Sequence, residues 1–342
     1  MARDTQRLAE GLRGYLPRGA GITGVTTLSA GHSNETYLVD GIGEVLRMPP
    51  SEEGLLPPYD MVRQHRVLRA VAAAAPGVPL PPVLELCTDP NVLGDPFFLM
   101  GQVKGDAFEY TVPDWLESDP VAGAESVCRQ WFDALIALHN MPVSAMPSGE
   151  RTVQQEAQHW LDVARGADAM PALIRVLEDL AKRPPATSGP ATPVHGDPKH
   201  GNCLWHEGKI TAFLDWEMAQ ISEPLLDLGY VLMFHDQGEA GLANAGFELP
   251  GWWSPERMIA EWEKGTGRTA VDVARYGVLG QAKVAAIISV GAFLFNSGRI
   301  KDPRFEAFAG LLPAYVALLD KRGWTIDAAT RANLELTRRL SG

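Results

Sequence analysis

The segment from residue 194 to 217 carries side chains that could do chemistry on a hydroxyl or phosphate group. It reads VHGDPKHGNCLWHEGKITAFLDWE. Asp197 and Asn202 flank an irregular loop, and Asp215 ends an apolar stretch that is typical of a strand. Amide and carboxylate oxygens are hard ligands, which suit Mg²⁺ held jointly with phosphate oxygens. A further carboxylate nearby could orient or deprotonate a hydroxyl group.

The same segment is also rich in residues that can bind zinc. His195, His200, Cys203 and His206 are all zinc-ligand types. Their spacing matches no familiar zinc module, so the interpretation with oxygen ligands explains the loop better. A metal-dependent hydrolase built on these residues is the corresponding alternative, and it would act without a nucleotide.

The elements that must position this loop begin with a β-rich region. Short apolar stretches separated by turns predict the order β-β-β-α-β-β before residue 104, with an amphipathic helix preceding it at the N-terminus. The main helix is expected from about Asp60, a plausible N-cap, to about Ala75, before Pro76 and Gly77. The predicted strands are 23–29, 35–40, 44–48, 83–87 and 96–103.

After Lys104 the periodicity becomes helical. Helices are predicted at about 121–139, at about 152–182 and in several segments from 225 onward, with one short hairpin at 203–205 and 210–214. The apolar stretch 276–295 contains Gln281 and Lys283, which favours a buried core helix over a membrane span. An α+β fold with a small β-rich lobe and a larger α-rich lobe follows.

Three ordered motifs carry a resemblance to a known family. His195-Gly196-Asp197, followed by Asn202, resembles the catalytic loop of the aminoglycoside phosphotransferase-like family, a branch of the protein-kinase-like fold. Asp215-Trp216-Glu217 and the segment PLLDLG at 224–229 match two further family motifs. The similarity covers roughly residues 20–235 and is close to the branch with kinase-like domains fused to acyl-CoA dehydrogenases. It implies an N-lobe at 1–103 and a C-lobe at 104–342.

The resemblance also implies roles in the C-lobe. Asp197 would be the catalytic base that orients the acceptor hydroxyl, and Lys199 would lie near the γ-phosphate of the nucleotide. Asn202 and Asp215 would hold Mg²⁺. His195 and Asp227 would support the loop, with Asp227 bracing it from an underlying helix, although Asp227 could equally satisfy backbone donors at a helix N-terminus.

In the N-lobe the resemblance implies a nucleotide site. Gly31, Ser33 and Asn34 correspond to the loop that covers the phosphates, and Arg47 stands where the fold usually has a lysine. Met100 would lie at the adenine slot, with backbone groups of Gly101 and Val103 as hinge contacts. Gln64 occupies the position of the glutamate that normally pairs with the strand cation. It can hydrogen-bond the Arg47 guanidinium but cannot neutralise it, and Glu52, Glu53 or Asp60 could supply that charge.

These residues predict a Mg²⁺-dependent kinase that transfers the γ-phosphate of ATP or GTP to a hydroxyl group of a small molecule. An aminoglycoside or another hydroxylated compound is one acceptor class, and a hydroxyacyl-CoA or other metabolite is a second. A nucleotide-binding pseudokinase that acts by interaction is the alternative raised by Gln64. Only eleven residues separate Asp215 from Asp227, too few for the peptide-docking segment of a protein kinase.

Composition limits the partners and the compartment. The chain has 342 residues, 46% of them hydrophobic, and a formal net charge of −12. This acidity disfavours nucleic acid and membrane surfaces as partners. Three scattered cysteines favour a reducing compartment and a cytoplasmic protein. The pattern does not specify an oligomeric state.

Overall fold

The computed structural model describes residues 3–30, 33–109, 111–236, 246–302 and 305–321. The β-rich part contains a five-stranded antiparallel sheet with the strand order β1-β2-β3-β5-β4. Its strands and helices are α1 Thr5–Tyr15, β1 Gly24–Ala30, β2 Glu35–Asp40, β3 Glu44–Met48, α2 Met61–Ala74, β4 Val83–Cys87, α3 Pro90–Leu93 and β5 Phe97–Gly101. This order confirms the predicted sequence of strands around one main helix.

Alternation along β3 explains how the sheet is covered. Leu46 and Met48 are fully buried and pack with Leu8 and Leu12 of α1. Successive side chains of a strand point to opposite faces. Arg47 therefore lies on the other face, which α2 covers through contacts with β4 and β5. The sheet is thus closed by α1 on one side and presents a cation on the side of α2.

The remainder of the chain is mainly helical. Its elements are α4 Asp114–Glu117, α5 Pro120–His139, α6 Val153–Gly166, α7 Pro171–Lys182, β6 Thr192–Val194, β7 Cys203–His206, β8 Lys209–Phe213, β9 Gln220–Ser222, α8 Leu225–Met233, α9 Pro255–Thr266, α10 Val273–Asn296 and α11 Glu306–Lys321. The hairpin β7–β8 confirms the one predicted, and β6 pairs with β9 in a ladder that the pattern did not predict. The α+β class with a β-rich and an α-rich lobe is confirmed.

One predicted helix is wrong in length. The single helix expected at about 152–182 is two helices, α6 and α7, separated at 167–170. Asp168 adopts a positive φ of 49°, and Pro171 opens the second helix. A proline has no backbone N–H and disfavours helical geometry in the preceding residue, so the chain turns here.

Helix α10 is the centre of the helical part. Its contacts are with α6, α7, α8 and α11. Within the described ranges it is the helix whose length and apolar composition would let it cross a membrane, and 72% of its most apolar window is buried inside the protein. The expected core helix is therefore present, and its buried Lys283 faces the loop that contains Asp197.

Candidate active site

The loop at 195–197 is held from below by Asp227, at the first turn of α8. One carboxylate oxygen, Oδ2, accepts the backbone N–H of His195 at 2.7 Å, and the other, Oδ1, accepts that of Gly196 at 2.9 Å. Asp227 is fully buried. Burial alone would raise the pKa of Asp227, but hydrogen bonding and charge from His139 and the His195 amide lower it overall. An ionised carboxylate therefore orients two consecutive amides of the loop.

A second layer of side chains positions Asp227 itself. His139 at the end of α5 lies 3.2 Å from Asp227 Oδ2 through Nε2, and the indole N–H of Trp262 donates to His139 Nδ1 at 2.9 Å. Because Nδ1 accepts this bond, the imidazole proton lies on Nε2 and is donated to Asp227. Helices α5, α8 and α9 are joined to the loop by this chain of contacts.

Backbone geometry and aromatic packing fix the course of the loop. Gly196 has φ +87°, and a Cβ there would lie 2.8 Å from the carbonyl oxygen of Met218, so a larger residue would clash. The His195 ring stacks on Phe213 at 4.3 Å and its Nε2 lies 2.8 Å from the Leu214 carbonyl oxygen. Burial lowers the pKa of His195, which favours the neutral ring.

Asp197 and Asn202 lie together, as the spacing predicts. The Asn202 side-chain amide donates to the Asp197 carbonyl oxygen at 2.8 Å and to its carboxylate Oδ2 at 2.9 Å. The second carboxylate oxygen, Oδ1, is buried and accepts no hydrogen bond within the described part of the chain. Burial would raise the pKa of Asp197, but Lys199, Tyr230 and Lys283 lower it overall. Asp197 is thus an ionised carboxylate near the Tyr230 hydroxyl and two ammonium groups, and its Oδ1 makes no hydrogen bond of ordinary geometry among the described residues.

Lys199 lies beside Asp197 but its ammonium group pairs with another carboxylate. Nζ is 2.7 Å from Glu109 Oε1, and both side chains are about three quarters buried. The charge of Lys199 still contributes to the low pKa of Asp197. Glu109 is a partner that the motif did not reveal, because it comes from the chain that follows β5.

Asp215 is brought to the site by a strained turn after β8. It adopts φ +60° and ψ +56°, a left-handed conformation that is uncommon for a residue other than glycine. Its Oδ1 accepts a 3.0 Å bond from Nη2 of Arg47 in β3. Asp215 therefore joins the loop region to the N-terminal sheet across the cleft between the two lobes.

The expected substitute for the missing glutamate differs from what the structure shows. Gln64 accepts a 3.2 Å bond from Arg47 Nε, while the carboxylates near Arg47 are Asp215 and Glu217, the latter at 3.7 Å. Asp60 caps α2, and Glu53 pairs with Arg299, so neither neutralises Arg47. The replacement charge comes from the C-lobe, since Arg47 points across the cleft.

Glu217 is a site residue that the sequence interpretation did not assign. The side-chain amide of Asn34 donates a hydrogen bond to Glu217 Oε2, and Nη2 of Arg47 lies 3.7 Å from the same oxygen. Burial raises the pKa of Glu217 to about 7, Arg47 opposes the rise and Asp215 adds to it. The acidic pair spaced by Trp216 was the available signal, but the link to Asn34 spans 183 positions.

The residues expected to bind the nucleotide lie in the N-lobe around this link. Ser33 and Asn34 are buried, and the amide oxygen of Asn34 has no hydrogen-bond partner in the described ranges. Gly31, also expected here, lies outside the described residues. Ser33 contributes a hydrogen bond that lowers the pKa of Glu217. Ser33 and Asn34 thus contact Glu217, two residues after the metal-ligand candidate Asp215.

The expected hinge lies at the end of β5. Met100 is buried and pairs with Val45 of β3 and Val83 of β4. The Gly101 N–H donates to the Pro82 carbonyl oxygen at 2.8 Å, so a contact from Gly101 to a base would have to use its carbonyl. Val103 follows at the point where the chain leaves the sheet and is half-buried.

The donor set fits a hard divalent cation. Asn202 directs its amide nitrogen to Asp197, which leaves its amide oxygen for a cation, and Asp215 adds a carboxylate that is 45% exposed. Among the described residues no three His, Cys, Asp or Glu side chains converge as a metal site. An ion here would complete its shell with phosphate oxygens, as Mg²⁺ does.

Comparisons with known proteins show the family and the fold of the chain. Acyl-CoA dehydrogenase family member 10 of Mus musculus is 30% identical over 211 residues, 58% of this chain and 19% of that protein. The chain thus spans about a fifth of the length of this curated relative. A Ralstonia eutropha protein whose name assigns it to the aminoglycoside phosphotransferases superposes with a TM-score of 0.72 at 20% identity, covering 93% of this chain and 99% of that one.

A second solved structure shows the same fold. The GDP complex of aminoglycoside 2'-phosphotransferase-IIIa has a TM-score of 0.59 at 16% identity and covers 94% of this chain and 98% of that one. The sequence profile of the phosphotransferase enzyme family matches residues 24–260, more than half of the chain. This span contains Asp197, Asn202, Asp215 and Asp227. The chain therefore belongs to the phosphotransferase enzyme family, and its fold is the two-lobed protein-kinase-like one.

Proposed function

We propose that this protein is a small-molecule kinase that transfers the γ-phosphate of ATP or GTP to a hydroxyl group of its acceptor. The observation that carries the proposal is the ionised, buried Oδ1 of Asp197, which has no hydrogen-bond partner in the described chain and lies beside Asn202. A hydroxyl group is the donor that such an oxygen lacks. Family membership supports phosphoryl transfer as the chemistry.

Each side chain then has a definite task. Asp197 Oδ1 accepts the proton of the acceptor hydroxyl, and Asp227 keeps the loop in place during that transfer. Asn202 and Asp215 would hold Mg²⁺, which when bound neutralises charge on the nucleotide phosphates. Lys199 supplies a positive charge beside Asp197, and Arg47 supplies a fixed guanidinium for the phosphate chain. Ser33 and Asn34 close over the phosphates.

The acceptor is a small molecule rather than a protein. The eleven residues between Asp215 and Asp227 form a short 3-10 turn, strand β9 and the start of α8, which leaves no long segment for peptide docking. An aminoglycoside or another hydroxylated compound is the first candidate. The similarity to a relative named for an acyl-CoA dehydrogenase favours a hydroxyacyl-CoA or related metabolite as the second.

A pseudokinase without turnover is the competing proposal. It rests on Gln64, which cannot neutralise Arg47 as a glutamate would. The ion pairs of Arg47 with Asp215 and Glu217 supply that negative charge and so argue against it. It predicts nucleotide binding without ADP release.

The decisive experiment measures ADP release with Mg²⁺ against a panel of aminoglycosides, macrolides, amino alcohols and hydroxyacyl-CoAs. We expect acceptor-dependent release, lowered by about 10²- to 10⁴-fold in Asp197→Asn because the proton acceptor is lost. A thermal-shift assay in parallel reports binding, since nucleotide at 100 times its Kd stabilises the fold by about 2.7 kcal/mol. Binding with no release for any acceptor in the panel would favour the pseudokinase.

The setting of this reaction is also a proposal. Cys87, Cys128 and Cys203 are buried free thiols, which suits a reducing compartment, and we place the protein in the cytoplasm. We propose no nucleic acid or membrane partner, because the net charge of −12 repels both.

A further inference from the structure

A cavity of about 460 Å³ lies between the start of α2, the loop before α6, α6 itself and the segment after Asp215. The side chains that matter in its wall are Arg63, Ser148, Arg151, Glu156 and Glu217. Its volume is in the range of small-molecule sites. None of the tasks assigned to the transfer site uses Arg63, Ser148 or Arg151.

The two buried carboxylates in this wall already have protein donors. Glu156 accepts the Trp160 indole N–H at 2.7 Å, the Gln220 amide at 2.9 Å and the Arg151 guanidinium at 2.9 Å. Glu217 accepts Asn34 and lies 3.7 Å from Arg47. Neither carboxylate is therefore left to neutralise a further cation in the cavity.

Arg63 is such a cation. Its guanidinium donates to the main-chain carbonyl oxygens of Glu217, at 2.9 Å, and of Ala219. In the part of the chain that the structure describes, these carbonyl oxygens are the acceptors of its hydrogen bonds, and the exposed Asp60 is the carboxylate whose charge acts on it. Carbonyl groups are dipoles and do not cancel a full charge, so a half-buried positive charge remains.

Arg151 lines the same wall, and its guanidinium pairs with Glu156 at 2.9 Å while its charge still acts on Arg63. Burial lowers the pKa of Arg63, the charge of Asp60 opposes this, and the like charge of Arg151 lowers it further, so the two guanidinium groups repel each other. An anion between them would relieve this repulsion and accept charge-assisted hydrogen bonds.

One neutral donor completes the set. The Ser148 hydroxyl is buried, lines the cavity and has no hydrogen-bond partner among the described residues. Two acidic residues, Asp60 and Glu150, also border the cavity, but both are exposed, so solvent screens their charges. The donors available to a ligand in this cavity are therefore the Arg63 guanidinium and the Ser148 hydroxyl.

We propose that this cavity binds the carboxylate or phosphate group of a second small molecule, distinct from the nucleotide, through Arg63, Arg151 and Ser148. The site is separated from the nucleotide cleft by Glu217, which borders both. Binding here does not depend on phosphoryl transfer, so its test needs no turnover.

The test titrates the full-length protein with inorganic phosphate, followed by ³¹P NMR and calorimetry, with sodium chloride adjusted to constant ionic strength. Arg151→Gln removes one cation without touching the main-chain contacts of Arg63, and Arg151→Lys keeps the charge. The matched control is Arg165→Gln in the last turn of α6, where Arg165 pairs with Glu178 at the surface. Arg47→Gln reports on the nucleotide cleft.

We expect saturable phosphate binding that is weakened about tenfold or more in Arg151→Gln and about threefold or less in Arg151→Lys. Arg165→Gln should leave the Kd within about twofold, and AMP-PNP should not displace the phosphate. The proposal is wrong if the wild type binds no phosphate, if Arg151→Gln binds like the wild type, or if Arg47→Gln or AMP-PNP abolishes binding. Circular dichroism of each variant shows whether the fold is retained.

Discussion

Arg47 of strand β3 and Asp215 after strand β8 share a 3.0 Å hydrogen bond across 168 positions of the chain. The pair connects the N-terminal sheet to the loop region of the C-lobe, and Glu217 lies 3.7 Å from the same guanidinium nitrogen. The cation that the fold usually pairs within its N-lobe is here balanced by carboxylates of the other lobe.

Restoring a carboxylate at position 64 should therefore change little. In Gln64→Glu the new carboxylate would join Asp215 and Glu217 around one guanidinium, whose charge is already balanced. We expect kcat/KM for the nucleotide to change by less than about threefold. Steady-state kinetics at fixed acceptor measure it, and Arg47→Gln is the reference for loss of the cation. A rise of about tenfold or more would show that Gln64 leaves Arg47 poorly held.

Glu217 should make the fold less stable as pH rises. Its pKa is raised from 4.5 to about 7 in the folded state, so the folded protein holds the proton more tightly than the unfolded chain. The free energy of unfolding contributed by this group is therefore lost as pH increases from about 4.5 to about 7. Glu217→Gln does not titrate and keeps an acceptor for Asn34.

As pH rises from 4.5 to 8, we expect the free energy of unfolding of Glu217→Gln to increase by on the order of 2 kcal/mol relative to that of the wild type. Urea unfolding at a series of pH values measures the difference. A difference that stays constant with pH would mean that Glu217 titrates normally in the folded protein.

Asp227→Asn should be strongly destabilising. Asp227 uses separate oxygens for the His195 and Gly196 amides, and an asparagine would turn its own NH₂ group toward one of them. The cost should be about 3 kcal/mol, with a matching loss of turnover as the loop shifts.

The matched control for that variant is Asp4→Asn. Asp4 accepts two backbone amides at the exposed start of α1, but through a single oxygen that asparagine also has. It should change the free energy of unfolding by less than about 0.5 kcal/mol. Equal losses in the two variants, measured by chemical denaturation, would contradict the bracing role of Asp227.

Gly196→Ala and Gly43→Ala should differ although both glycines have positive φ. A Cβ added at Gly43 would point into open space, with no atom of a non-neighbouring residue within 4 Å, so alanine there costs only the left-handed backbone, about 1 kcal/mol. At Gly196 the new Cβ would also meet the Met218 backbone, which adds about 1 to 3 kcal/mol. Thermal unfolding compares the two. Similar values would show that the loop can shift at no cost.

Local patterns in the chain were enough to predict most of the elements and the proximity of Asp197 to Asn202. Short apolar stretches separated by turn residues predicted strands β1 to β5, and helix α2 was predicted between the Asp60 cap and Pro76-Gly77. The loop containing Asp197 and Asn202 brings both together since only four residues separate them. The helix break at Asp168 was missed because the flanking apolar periods look continuous.

Packing between distant segments supplied the remaining contacts. The bond from Arg47 to Asp215, the link from Asn34 to Glu217, and the chain from Trp262 through His139 to Asp227 join residues 88 to 183 positions apart. Such contacts depend on how the helices and the sheet pack, and spacing along a chain carries no record of that. The residue types and their spacing thus predict that oxygen ligands and a carboxylate base are available. The packing of the two lobes determines that Arg47 pairs with Asp215 and Glu217.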